Sequence, residues 1–219
     1  MLSGDIQVQT LPSLHTQDTV YKALQLMSDS QVAHLPVTDG GKYLGMVSED
    51  DLAPEDENEE LGLLQHIFSP LSVRSDEHLL KAVQLAAENR LSVVPVTDRE
   101  NNLIGALPYG ELLKYASGFM NLNEPGALIV LEMESNQYSF NEISKLVETN
   151  DAQITQLNTS NDPATGMMQV TIRINKPEVS DIIATFQRYE YTIKFYAGEE
   201  LYANELRSNY DNLMNYLKI

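Results

Sequence analysis

The sequence predicts a mixed α/β (α+β) chain, with two copies of a β-α-β-β-α unit followed by a separate β-α-β-β-α-β domain. Three observations carry this. The segment Val20-Tyr21-Lys22-Ala23-Leu24-Gln25-Leu26-Met27 returns as Leu79-Leu80-Lys81-Ala82-Val83-Gln84-Leu85-Ala86, and Leu35-Pro36-Val37-Thr38-Asp39 returns as Val94-Pro95-Val96-Thr97-Asp98, both 59 positions later. The pairs Gly45/Gly105 and Leu52/Leu112 recur 60 positions on, so the spacing holds with one residue inserted at the Asn101-Asn102 turn. Beyond residue 120 the pattern changes, and Val170, Ile172 and Ile174 alternate with Thr171, Arg173 and Asn175 as in a strand with one buried face. A repeat of this kind is one supersecondary unit used twice, and two copies bury a face that one alone leaves open.

In the first copy, Val20, Ala23, Leu24 and Met27 hold the i, i+3, i+4, i+7 spacing of an amphipathic helix, with Asp18 just before it. Residues 32–37 read as a short apolar strand, Asp39-Gly40-Gly41 as a turn and residues 43–47 as a second strand. Ser48 then opens another helix as its N-cap. The second copy follows suit, with Asp76 before a helix over 79–88, strands over 92–96 and 103–107, and a turn over 98–102. Residues 118–125 read as a linker. After it come a strand over 127–133 and a helix over 140–149 with Phe140, Ile143, Leu146 and Val147 on one face. A strand over 152–158, a hairpin through Asp162-Pro163-Ala164-Thr165-Gly166, the alternating strand, a helix over 179–188 and a strand over 191–196 complete the domain. In the tail, Leu206, Tyr210, Leu213, Met214 and Leu217 lie along one helical stripe, a face suited to its own chain or a twin subunit. The expected divisions are 1–60, 61–120, 121–198 and a C-terminal helix over 199–219.

At 219 residues and 42% apolar content, the chain fits one large domain or two small ones. The absence of Cys removes disulfides, thiolate metal sites and cysteine nucleophiles together. The start, Met1-Leu2-Ser3-Gly4-Asp5, carries neither a basic segment nor an apolar core, so a cytoplasmic location is expected. The net charge of −18 is uneven: residues 1–60 hold twelve acids against two bases, and residues 61–120 hold six against five. Such a surface repels nucleic-acid phosphates and anionic membranes, so neither is an expected partner.

The helix, the apolar-Pro-Val-x-Asp strand and the ending Gly45-Met46-Val47-Ser48-Glu49-Asp50-Asp51-Leu52 resemble a CBS domain, and two in tandem resemble a CBS pair, or Bateman module. The resemblance covers residues 1 to about 118. The β-α-β-β-α-β order behind it is ferredoxin-like and looks like an ACT domain. The whole arrangement is similar to the acetoin-utilisation regulatory proteins of bacteria.

That resemblance places a ligand site at Ser48 and Asp51. In CBS modules that bind adenosine compounds, the matching Asp accepts both ribose hydroxyls and the hydroxyl residue assists. Two O–H donors suit two carboxylate oxygens, each charge-assisted bond contributing ~1.5–3 kcal/mol. The same two residues equally serve as a helix N-cap and as a carboxylate at the positive end of the helix dipole. His34, before Leu35 and Pro36, stands where adenylate-binding relatives often carry a basic residue against phosphate, and its counterpart is Val93. In the second copy Pro108 removes the hydroxyl and Glu111 lengthens the carboxylate, which marks a degenerate site.

Glu49, Asp50, Glu55, Asp56, Glu57, Glu59 and Glu60 surround the better site in sequence. One carboxylate ~6 Å from a phosphate charge costs ~3 kcal/mol at an effective dielectric of about 20. A neutral adenosine-like effector therefore fits better than ATP, within a class that includes AMP, ATP and S-adenosylmethionine. The acidic stretch has no EF-hand spacing. In ACT domains, amino-acid effectors bind near a Gly-containing turn; here that turn is Glu134-Ser135-Asn136-Gln137-Tyr138-Ser139, with Tyr138 in place of Gly and Asn136 and Gln137 as the remaining donors.

No resident cofactor and no metal are expected: His15, His34, His66 and His78 lack metal-ligand spacing, and no phosphate loop or nucleophile elbow appears. The expected function is a non-catalytic sensor whose CBS cleft takes a small adenosine-type effector, in a homodimer. The alternative is a ligand-free dimerisation or protein-interaction module with both sites eroded.

Overall fold

The computed structural model describes residue 3 and residues 11–198. The expected C-terminal helix over 199–219 lies outside them. The chain divides into two compact units, Met1–Ser117 and Gly118–Ile219.

The first unit is built twice from the same parts. Strand β1 (Leu14–His15), helix α1 (Val20–Ser30), strands β2 (His34–Asp39) and β3 (Lys42–Ser48) and the short helix α2 (Glu49–Leu52) make the first copy. Strand β4 (Val73–Arg74), helix α3 (Leu79–Asn89), strands β5 (Val93–Thr97) and β6 (Leu103–Pro108) and helix α4 (Tyr109–Phe119) make the second. In each copy the brief first strand pairs parallel with the central one, which pairs antiparallel with the third, giving orders β1-β2-β3 and β4-β5-β6.

The turn before each long helix is held in the same way. Asp18 accepts the His15 N–H at 2.8 Å, and Glu77, its counterpart, accepts the Arg74 N–H at 2.8 Å. The N-caps themselves are Thr19 and His78, one and two residues after Asp18 and Asp76. Asp76 instead lies between Arg74 and Arg99, at 3.1 and 3.0 Å. The acidic connector wraps the start of α1, where the carbonyls of Glu59 and Glu57 accept the Val20 and Tyr21 N–H groups.

One core gathers Leu14, Val20, Ala23, Met27, Leu35, Val47 and Leu52; the other gathers Val73, Leu79, Ala82, Val94, Val96, Leu107 and Leu112. Met46 of β3 belongs to the second core, so the copies share apolar surface. Burying side chains of this kind contributes roughly 25 cal/mol for each Å² of apolar area removed from water.

The second unit has strands β7 (Leu128–Met133), β8 (Ile154–Asn161), β9 (Met168–Ile174) and β10 (Thr192–Ala197), with helices α5 (Phe140–Glu148) and α6 (Ser180–Arg188). The sheet order is β10-β7-β9-β8, antiparallel throughout, which is the ferredoxin-like arrangement. Val170, Ile172 and Ile174 of β9 are buried against Ile143, Leu146, Val147, Ile182 and Phe186, as their alternation requires.

Two expectations change. Helix α4 runs to Phe119, so Gly118 is helical and the linker begins after it. Phe140, at the first position of α5, is 54% exposed, and the buried stripe starts one turn later at Ile143.

Gly45 has φ +155°, and a Cβ there would stand 2.8 Å from the Phe68 Cβ and 3.1 Å from the Ser69 carbonyl. Gly110, on the first turn of α4, has nothing within 4 Å of such a Cβ. Gly45→Ala is expected to lower unfolding stability by about 2 kcal/mol or more. Gly110→Ala should stay within about 1 kcal/mol of the parent. Urea unfolding midpoints of the two variants check this.

Candidate functional site

The two copies in the first unit join by reciprocal bonds. The Tyr43 N–H donates to the Asn101 carbonyl at 2.9 Å, and the Leu103 N–H donates to the Gly41 carbonyl at 3.1 Å. Each residue in the second bond is the repeat counterpart of one in the first, which is what a local twofold axis demands. Lys42 and Asn102 bridge between them, and the Asn101 side chain donates to the Tyr43 carbonyl at 2.8 Å.

A second seam forms where the central strands begin. The Ala33 N–H donates to Ser92 Oγ at 3.0 Å, and the Ser92 N–H donates to His34 Nδ1 at 3.3 Å. Nδ1 is thus an acceptor, which leaves the neutral ring with its proton on Nε2. Burial lowers the His34 pKa, while the nearby Asp51 and Asp50 carboxylates act in the opposite sense. The local bonds repeat too: the Glu49 N–H meets the Ala33 carbonyl at 2.9 Å and the Tyr109 N–H meets the Ser92 carbonyl at 2.8 Å.

Ser48, at the end of β3, pairs in register with His34. Its Oγ accepts the Asp51 N–H at 3.1 Å and donates to Asp51 Oδ2 at 2.6 Å. This is an N-cap closed on its own carboxylate, and Asp51 remains exposed. Ser48, Asp51 and His34 therefore come together beside the seam. Leu35 and Pro36 do not join them as side chains: both are buried in β2, Leu35 fully, within the first core. Glu111 sits 3.6 Å from Lys114 on its own helix, and with Pro108 before it no hydroxyl caps α4.

A cavity of about 580 Å³ opens on the second copy's side of this seam. His34 and Ser92 line it together with Ala86, Ala87, Arg90 and Tyr109. Sequence reasoning singled out only His34 among these. Arg90 ends α3 in the left-handed region at φ 54°, as Gln31 ends α1 at φ 55°, and the repeat alignment was the signal that pairs them.

In the second unit, Ser135–Gln137 form a 3-10 turn, and Gln137 Oε1 accepts the Glu134 N–H at 3.0 Å. Gln137 lines a cavity of about 330 Å³ with Glu132, Glu142, Tyr189, Glu190 and Tyr191; Asn136 does not. Burial and the Glu142 carboxylate push the Tyr191 hydroxyl up to about 12. Among the described residues no group of three or more His, Asp or Glu is placed to hold a metal ion, and no helix is long and apolar enough to cross a membrane.

His34 takes a proton at about pH 6.5 in an unfolded chain and only at lower pH in the fold. As pH falls below about 6.5 the unfolded state binds more protons, so stability contributed by neutral His34 is full above that value and declines down to the lowered one. Urea midpoints measured at about pH 7.5 and about pH 5.5 should fall with acid in the parent. The fall should be smaller in His34→Gln, whose amide oxygen accepts the Ser92 N–H without titrating.

Comparison with known proteins agrees with this architecture. Two uncharacterized proteins of Methanocaldococcus jannaschii are 21% and 24% identical over 116 and 112 residues, covering 52% and 51% of this chain and 39% and 42% of their own lengths. A homoserine O-acetyltransferase of Methanohalophilus mahii is 29% identical over 107 residues, 48% of this chain and 22% of its own. This chain thus spans less than half the length of each of these relatives. The crystal structure of a CBS domain pair/ACT domain protein from Thermotoga maritima superposes with a TM-score of 0.50 at 24% identity, over 55% of this chain and 99% of that one. CBSX2 from Arabidopsis thaliana gives 0.46 at 25%, over 55% and 96%. The CBS domain family profile matches residues 4–56 and again 66–118. The first half of this chain is a tandem pair of CBS domains.

Proposed function

We propose that this protein is a non-catalytic regulator whose CBS pair binds an adenosine-type effector at Ser48 and Asp51. The observation that carries the reading is the placement of that pair. Asp51 is fixed by the Ser48 cap, is exposed, and stands near enough to His34 to act on its charge, while His34 bonds to Ser92 of the other copy. An effector held by Asp51 therefore sits against the seam whose arrangement it would bias. Regulation then follows from differential affinity for two arrangements of the copies.

The chemistry favours a neutral nucleoside portion. Asp51 Oδ2 is engaged by Ser48, and Oδ1 makes no hydrogen bond among the described residues. A ribose diol offers two donors to such a carboxylate, with Ser48 turning its hydroxyl toward the ligand. Leu35 and Pro36 shape the site through the backbone of β2. The neutral His34 ring offers an N–H donor in place of a cation. Glu111 contributes little, being ion-paired within α4.

The ferredoxin-like unit is proposed to be of the ACT type, and the domain order is that of acetoin-utilisation regulators, acting as a homodimer in the cytoplasm. Its turn carries Gln137 bonded back to Glu134, which supports a pairing role over effector capture by Asn136 and Gln137. One observation favours the alternative of a ligand-free interaction module: the Ser48–Asp51 bond already satisfies both partners as a helix cap.

Thermal shift of the full chain with adenosine, AMP and S-adenosylmethionine decides between these. Ligand at 100-fold its Kd adds ~2.7 kcal/mol of stability. Asp51→Ala is expected to weaken adenosine binding tenfold or more, with Glu111→Ala nearly unchanged. Flat curves with all three compounds, or equal losses in the two variants, would sink the proposal.

A further inference from the structure

The sheet of the ferredoxin-like unit ends in two different ways. Strand β8, at one edge, exposes Thr155, Asn158, Thr159, Ser160 and Asn161, all polar side chains that suit water. Strand β10, at the other edge, exposes Phe195, with 52% of its surface in solvent, and Tyr196 beside it. A groove of about 320 Å³ opens between β10 and α6, lined by Ile183 and Gln187 of the helix and by Ile193, Lys194, Phe195 and Tyr196 of the strand. Ile183 and Ile193 also pack against the core of this unit, so the floor of the groove continues that core outward. An apolar groove along an open sheet edge is a template for another chain unless something covers it.

The segment nearest to this groove along the chain is the protein's own C-terminus. Strand β10 stops at Ala197, and Gly198 is seated so closely that a Cβ there would stand 2.6 Å from the Pro177 carbonyl oxygen and 2.8 Å from both Ala127 Cβ and Val179 Cγ1. The chain therefore leaves the strand beside Val179, the N-cap of α6, at the end of the groove marked by Ile183. Residues 199–219 follow, and their sequence sets Leu206, Tyr210, Leu213, Met214 and Leu217 on one helical stripe with Ser208, Asn212 and Asn215 opposite it. A helix over this segment is about 31 Å long against about 20 Å for β10, enough to turn back and span the groove. Tethered at the end of the groove, the stripe has an effective concentration there on the order of millimolar, above that of a second copy in dilute solution.

We infer that residues 199–219 of the same chain turn back along β10 and seat their apolar stripe in the groove between α6 and β10, against Ile183, Ile193 and Phe195. The segment thereby closes the apolar edge of the sheet and leaves the polar β8 edge open. A strand from a second copy cannot add at β10 while the segment is in place. The assignment is independent of the effector reading, because every surface it uses belongs to the second unit.

The chain has neither Trp nor Cys, so one residue of either kind is a unique probe. In full-length Phe195→Trp the indole reports the groove through acrylamide quenching; in full-length Gln187→Cys the thiol reports it through its rate of labelling by a maleimide. The two probes sit on different elements, so disturbance of the groove by one substitution leaves the other reading intact. Each is compared with the same variant carrying Leu206→Glu, Leu213→Glu and Leu217→Glu. A control carries Ser208→Glu, Asn212→Glu and Asn215→Glu, which add the same charge on the opposite side of the stripe. Expected is a shielded probe in the parent background and in the control, with quenching at least twofold stronger and labelling at least tenfold faster once the stripe is broken. Dilution should leave the shielding unchanged. Probes equally accessible in all three backgrounds overturn the inference, as does shielding lost equally in the control. Shielding lost on dilution, with a shift from dimer to monomer in sedimentation, gives the groove to the segment of a second copy and overturns the seating within one chain.

Discussion

The constraint on which the first unit depends is the reciprocal seam between its two copies. A three-stranded sheet with helices on one face leaves its other face unburied, and a single copy has too little apolar surface to hold itself together. The bonds from Tyr43 to Asn101 and from Leu103 to Gly41 fix the copies about a local twofold, and Met46 from one copy enters the core of the other. Tyr43 itself is 5% exposed, its hydroxyl donating to the Leu71 carbonyl at 2.7 Å. The residues of this seam thus lie close to the local twofold axis that relates the copies.

Symmetry in the backbone coexists with asymmetry in the side chains. The positions after β3 and β6 hold equivalent backbone bonds, from Glu49 to Ala33 and from Tyr109 to Ser92. The residues mounted there differ: Ser48 caps its helix and holds Asp51, while Pro108 supplies fixed backbone and no hydroxyl. Val93 has no polar group where His34 has an imidazole, and Gln31 is neutral where Arg90 is charged. Two copies of one scaffold thus carry different charged and polar side chains at equivalent backbone positions.

His34 joins the two sides. It pairs in register with Ser48, accepts the Ser92 N–H, lines the Arg90 cavity and feels the Asp50 and Asp51 charges. A ring in that position is held neutral by geometry as well as by burial, because protonating Nδ1 would oppose a backbone donor. Its acceptor nitrogen ties the start of one central strand to the start of the other.

The fold was legible in the sequence wherever a periodic pattern met a local turn signal. The 59-residue offset located both copies, the alternation at Val170, Ile172 and Ile174 gave the buried face of β9, and Ser48 declared a helix cap by its own chemistry. These depend on residues close in the chain, which is why periodicity and capping rules reach them. Tertiary structure alone decided which side chains meet across the seam. That His34 Nδ1 accepts from Ser92, that Leu35 turns into the core, and that Arg90 stands at a cavity all follow from contacts between segments some 58 residues apart or from neighbours brought in by packing. Sequence records the donors and acceptors; only the closed twofold determines which of them are left for a ligand.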